Sequence, residues 1–116
     1  MPLDPHLVLG LSGMVIGAGD NVLLTPPAGQ SIRLFYLNLG APGTNLLSLI
    51  VTLRFGSNPP IYTIPLVPGA IFARNIGAGG RAAGYYQQSQ NINDQMILNI
   101  SGSEPVTWSA EYLYTP

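Results

Sequence analysis

Between residues 46 and 55 the chain alternates, with Leu47, Leu49, Val51, Leu53 and Phe55 on one side of an extended strand and Ser48, Thr52 and Arg54 on the other. A period of two predicts a strand with one face in a core and one in water. The pattern recurs near the C-terminal end. There Val106, Trp108, Ala110, Tyr112 and Tyr114 share one face, and Thr107, Ser109, Glu111 and Thr115 share the other. Residues 61–66 set Tyr62, Ile64 and Leu66 against Ile61, Thr63 and Pro65. Proline has no N–H for a ladder, so this run belongs at the edge of a sheet. Shorter runs at 21–25, 70–73, 85–88 and 95–101 complete the series. Clusters such as Pro26-Pro27-Ala28-Gly29, Gly40-Ala41-Pro42-Gly43 and Gly56-Ser57-Asn58-Pro59-Pro60 stop one run before the next begins. No segment has the 3.6 period of a long amphipathic helix. About eight short strands with turn signals every 8 to 12 residues predict one all-β domain, an antiparallel β-sandwich, and a jelly roll of eight strands fits the count.

Two stretches depart from simple alternation. In residues 31–39, Ile32, Leu34 and Tyr36 occupy one face of a continuous strand and Phe35, Leu37 and Leu39 the other. Apolar residues on both faces imply cover on both sides. The inner face meets the core, and the outer face meets a neighbouring subunit, the N-terminal arm or a loop of the same chain. Residues 1–20, MPLDPHLVLGLSGMVIGAGD, are apolar but broken by glycines and prolines. They read either as an extended N-terminal arm lying on a neighbour, ahead of a sandwich domain spanning 21–116, or as a first strand at 7–11 or 14–16 added to the same sheet.

Composition narrows the function classes. The 116 residues include 8% charged ones, no lysine and no cysteine, where about 25% charged is usual. Surface scaling gives a folded monomer of this mass roughly 6,100 Å² of accessible area, enough for one core. Glycines and prolines interrupt every apolar run, so no membrane-spanning helix is expected. The first residues lack the positive charge of a secretory leader. A net charge of -1 offers no footprint for nucleic acid. Without cysteine there is neither a disulfide framework nor a thiolate metal site. So little charge on so small a domain points to surface placed against a partner.

Candidate chemistry is thin, and the expectation is that the protein is not an enzyme and carries no cofactor or metal. His6 is the one histidine and sits near a chain end, a poor place for a triad. Asp94, Glu104 and Glu111 are a formal carboxylate set for glycoside hydrolysis, but Asp94 and Glu104 lie in turn compositions. Gly77-Ala78-Gly79-Gly80-Arg81-Ala82-Ala83-Gly84 lacks the Lys-Ser/Thr and the strand-to-helix context of a phosphate cradle. Asn91, Asn93 and Asp94 lack the closing glutamate of a calcium loop.

From residue 26 to residue 114 the order of pieces resembles a class of small virion proteins of tailed bacteriophages. The matching pieces are Pro27-Ala28-Gly29-Gln30-Ser31-Ile32-Arg33, Arg54-Phe55-Gly56 and Pro65-Leu66-Val67-Pro68-Gly69-Ala70, followed by Tyr85-Tyr86-Gln87-Gln88, Met96-Ile97-Leu98-Asn99-Ile100-Ser101 and Val106-Thr107-Trp108-Ser109-Ala110-Glu111-Tyr112. The resemblance implies a jelly-roll capsid decoration, or cement, protein on the outer capsid surface of the virion. It would bind the major capsid protein as a homotrimer and stabilise the lattice. The residues expected at capsid or inter-subunit contacts are Leu3, Leu7, Leu9, Leu11, Met14, Val15, Ile16, Phe35 and Leu37. The alternative is a head-fibre or tail-associated module that binds host glycans, with Tyr85, Tyr86 and Trp108 as the sugar contacts.

Overall fold

The computed structural model describes residues 9–75 and 86–116. Among these there is no helix, and nine strands form two antiparallel sheets: β1 (Leu9–Val15), β2 (Gly19–Leu24), β3 (Ser31–Gly40), β4 (Leu49–Phe55), β5 (Tyr62–Leu66), β6 (Ile71–Asn75), β7 (Gln87–Gln88), β8 (Met96–Ile100) and β9 (Val106–Thr115). The first sheet has the order β1-β9-β3-β6, with β7 also pairing β3, and the second has the order β2-β8-β4-β5. The strand pairs nest. β4 meets β5 across a tight connection, β3 meets β6, β2 meets β8, and β1 meets β9. The chain is thus one long hairpin rolled on itself, and the β3–β9 and β4–β8 ladders stitch the roll into two layers. This is the jelly-roll arrangement that the strand count anticipated. Pro65 lies in β5, an edge strand, where its missing N–H costs no ladder bond.

The core lies between the layers and is built by alternation. β4 contributes Leu49, Val51, Leu53 and Phe55, β8 contributes Met96, Leu98 and Ile100, and β9 contributes Val106, Trp108, Ala110 and Tyr112, all buried. The accessible surface of 6096 Å² matches what scaling assigns to a chain of this mass.

The two-faced reading of residues 31–39 is corrected by a single residue. The β3–β9 register slips between Leu34 and Tyr36, so Phe35 is the extra residue of a β-bulge. A one-residue insertion exchanges the faces. Ile32 and Leu34 before the bulge, and Leu37 and Leu39 after it, therefore all point into the same core, each with 0% exposure. Tyr36 and Asn38 take the outer face. Phe35 is buried too, but against Tyr86, whose ring meets it edge-on with centroids 6.0 Å apart. Of the covers the sequence left open, a loop of the same chain, at Tyr86, is the one the described residues show over Phe35. Neither Phe35 nor Leu37 offers a contact to another subunit.

For residues 1–20, the described part is a strand rather than an arm. Leu9–Val15 pairs with β9 through seven successive positions, from Leu9 opposite Tyr112 to Val15 opposite Val106. A boundary between residues 20 and 21 falls inside β2 (Gly19–Leu24). Glycine suits this strand at one place. Gly13 lies opposite Trp108, and a Cβ there would stand 3.1 Å from the indole nitrogen, so the absent side chain makes room for the ring.

Candidate functional site

The chemistry-bearing side chains are dispersed and hydrogen-bonded. Strand register places the connections 16–18, 41–48, 67–70 and 101–105 at one end of the sandwich, and 25–30, 56–61 and 89–95 at the other. Glu104 belongs to the first end, where its Oε1 accepts the Leu46 N–H at 3.1 Å. Asp94 belongs to the second, accepting from Asn58 Nδ2 at 2.8 Å and from the Asn91 N–H at 3.2 Å. Glu111 stands midway along β9 on the outer face of the first sheet. The three carboxylates that the sequence allowed as a hydrolytic set are therefore not brought together. Asn93, at φ 68°, accepts the Gly29 N–H at 2.7 Å and donates its own N–H to the Gln30 carbonyl at 2.8 Å. The 89–95 turn thus holds the 25–30 turn through Asn93. Among the described residues no group of three or more His, Cys, Asp and Glu side chains is placed to hold a metal. Burial, and then Tyr112 alongside, push the Tyr114 hydroxyl up to about 12, which keeps that phenol protonated at neutral pH. His6 and the segment 77–84 lie outside the described residues.

Among the described residues, the outer face of the second sheet carries one ion pair. Arg54 donates to both carboxylate oxygens of Asp20, at 2.9 and 2.7 Å, and Asn99 Nδ2 donates to the same carboxylate at 2.9 Å. The Arg54 guanidinium, with Asn99 second, holds the Asp20 carboxyl well below its ordinary 3.8. A carboxylate depressed by folding adds stability that is complete above its unfolded value and lost as pH falls through its folded one. The group is exposed, so the contribution is small and screened by salt. We expect the melting temperature of the Asp20→Asn variant to lie slightly below that of the wild type at pH 6 and the gap to close on acidification below pH 3.8. Thermal unfolding across that range, repeated at high salt, checks both the direction and the screening.

The residues expected at contacts fall into three groups. Leu3, Leu7 and Tyr85 lie outside the described residues. Phe35 and Leu37 are buried, and Val15 packs against the core. Leu9, Leu11, Met14 and Ile16 are exposed, at 46, 46, 56 and 52%. The aromatic candidates for sugar fare differently. Trp108 is 8% exposed within the core and has no face to offer, because β9 turns it toward the second sheet. Tyr86 is half-buried, with the Arg33 guanidinium carbon 4.6 Å above its ring and Phe35 at its edge. It serves as a cover over Phe35.

A shallow trough of about 470 Å³ runs over the first sheet, lined by Gly10, Leu11 and Ser12 of β1, Tyr36 of β3, and Ser109, Ala110 and Glu111 of β9. The more distinctive surface is the 16–18, 41–48, 67–70, 101–105 end. Five large apolar side chains are exposed there: Ile16, Leu46, Leu47, Val67 and Ile71, with Leu46 at 88% and Ile71 at 73%. Its loops are fastened together. The 67–70 and 41–48 connections exchange backbone bonds, Gly69 N–H to Ala41 O at 2.8 Å and Ala41 N–H to Ala70 O at 2.9 Å. Asn45 Nδ2 donates to Pro105 O at 2.9 Å and ties in the 101–105 connection. Alternation from residue 46 predicts Leu47 on the inner face of a strand. The strand starts at Leu49, and Leu46 and Leu47 stand out from a loop that the buried Asn45 anchors. No family model matches the chain, and no curated protein matches it.

Proposed function

We propose that the protein is a structural binding module, a capsid decoration protein of a tailed phage that sits on the outside of the head as a homotrimer and holds neighbouring major capsid subunits together. One observation carries this reading. Five large apolar side chains are exposed at one end of the sandwich, on and beside hydrogen-bonded loops, while among the described residues the opposite end exposes one, Ile92, beside the hydrogen-bonded Asn58, Asn93 and Asp94. Contiguous exposed apolar surface marks partner sites. Here the loops are already fixed by Asn45, Ala41 and Gly69, so little ordering entropy is lost on binding. Three copies in a closed ring would present three such ends, and linked weak contacts multiply. A partner that binds the assembled lattice and not its free subunits stabilises the lattice by mass action.

Virion fractionation with quantitation of this chain tests the reading. Hundreds of copies per particle, all on heads, are expected. A few copies confined to tails or fibres would overturn it, and retention on host-surface glycans in that fraction would point to the sugar-binding alternative.

A further inference from the structure

The four sheet edges are unequal. β5 carries Pro65 in its middle, β2 carries Asp20 and a register break between Val22 and Leu24, and β6 carries Arg74. Charges, prolines and bulges are the devices by which natural sheets keep their edges from pairing with other chains. β1, with the sequence LGLSGMV, has none of them. It contains no charge and no proline, and its pairing with β9 runs unbroken over seven residues. Among the described residues, its N–H and C=O groups on the side away from β9 face no strand, because β1 ends the strand order.

We propose that β1 is a self-pairing edge, at which a second copy of this chain adds its own β1 antiparallel about a two-fold axis through Ser12 and joins two first sheets into one. The strand complements itself in that register. Pairing about Ser12 sets Leu11 opposite Gly13, Gly10 opposite Met14, and Leu9 opposite Val15 of the second copy. The two largest unmatched side chains thus each meet a glycine. Only this centre uses all seven residues; a centre at Leu11 or Gly13 leaves two at one end unpaired. Antiparallel pairing about a residue also preserves faces. Leu9 and Leu11 lie on the core side of the sheet and are each 46% exposed; Leu11 would come to rest diagonally beside its counterpart and Leu9 beside Val15 of the second copy, while Ser12 and Met14 stay on the outer side. An uncharged strand brings no like charges together when it pairs with itself, so nothing in β1 opposes the contact.

The contact is independent of what the apolar end binds. It relates two protomers by a two-fold, which in a trimeric protein links one ring to the next.

The chain has no cysteine, so a single one reports cleanly. Residues directly opposite in an antiparallel pair have Cα atoms about 4.5 or 5.5 Å apart, within disulfide range. We expect Ser12→Cys to convert most of the purified protein to a disulfide-linked dimer under mild oxidation, and Ser57→Cys, exposed at the far end of the sandwich, to do so at least tenfold more slowly. Ser12→Lys should halve the solution mass by light scattering, and mixing it with Ser12→Glu should restore the mass. Equal cross-linking at positions 12 and 57, or an unchanged mass for a Ser12→Lys protein whose circular dichroism is that of the wild type, overturns the proposal. Loss of the β-sheet spectrum in Ser12→Lys leaves the cross-linking ratio to decide. Because Ser12 is outside the Leu46–Leu47 surface, head binding retained by a dissociated Ser12→Lys protein separates this contact from the decoration reading.

Discussion

Replacing Leu37 by alanine is expected to destabilise the fold by about 2–5 kcal/mol, the range for deleting a fully buried leucine side chain. The magnitude follows from the bulge. Without a slip at Phe35, Leu37 would share the outer face of the first sheet with Phe35 and Leu39, and its truncation would cost the isolated protomer little. With the slip, Leu37 lies opposite Ala110 and points between the sheets at 0% exposure. Total stability for a domain of this size is of the order of 5–15 kcal/mol, so such a loss would move the unfolding midpoint visibly. Ile50→Ala is the matched control, since Ile50 is 55% exposed on the outer face of β4, and it should change stability by no more than about 0.5 kcal/mol. Denaturant titration of the two variants separates the readings. A Leu37→Ala variant as stable as Ile50→Ala would mean that the bulge is misplaced.

Trp108→Ala should cost more, about 3–5 kcal/mol, because a large buried ring leaves a cavity its neighbours cannot close. Trp108 faces inward from β9, flanked along its strand face by Val106 and Ala110, and opposite Gly13, whose missing side chain admits the indole. Loss of the ring removes the surface that β1 covers, so the edge strand should loosen first. Hydrogen exchange would show amides of Leu9–Val15 losing protection ahead of those in β4 and β8. A sugar-contacting tryptophan would behave in the opposite way, with its alanine variant folding normally and losing only ligand.

Much of the fold was legible because it rests on alternation. Val106 to Tyr112 and Leu49 to Phe55 each keep one face apolar, and both faces lie where the pattern put them. Pro65 marked its own strand as an edge. What the sequence hid depends on single residues or on distant ones. Phe35 is an apolar residue at the one position where β3 slips, and an apolar bulge reads as continued alternation. β1 is rich in glycine and has weak strand propensity. It exists because β9, about a hundred residues on, offers a ladder and a tryptophan to cover. Leu46 and Leu47 resemble the start of a strand, and it is the Asn45 to Pro105 bond, across 60 residues, that turns them into a loop. The turn cluster at Pro42, Gly43 and Asn45 was the available sign that the strand begins later. The candidate surface was therefore less legible than the core, since only Ile16 was expected at a contact, Leu47 was assigned to the inside, and nothing singled out Leu46, Val67 or Ile71.

The central claim is that this chain acts by binding through the apolar loop end. Co-sedimentation of the purified protein with phage heads of the kind it is proposed to decorate, comparing wild type with the Leu46→Ser, Leu47→Ser double variant, tests it most directly. Burial of each leucine is worth about 1.5–3 kcal/mol, and each 1.4 kcal/mol is tenfold in affinity, so the double variant should bind roughly a hundredfold or more weakly. Its melting temperature should stay that of the wild type, because Leu46 and Leu47 are 88 and 61% exposed in the free protein. Undiminished binding by a folded double variant would contradict the account.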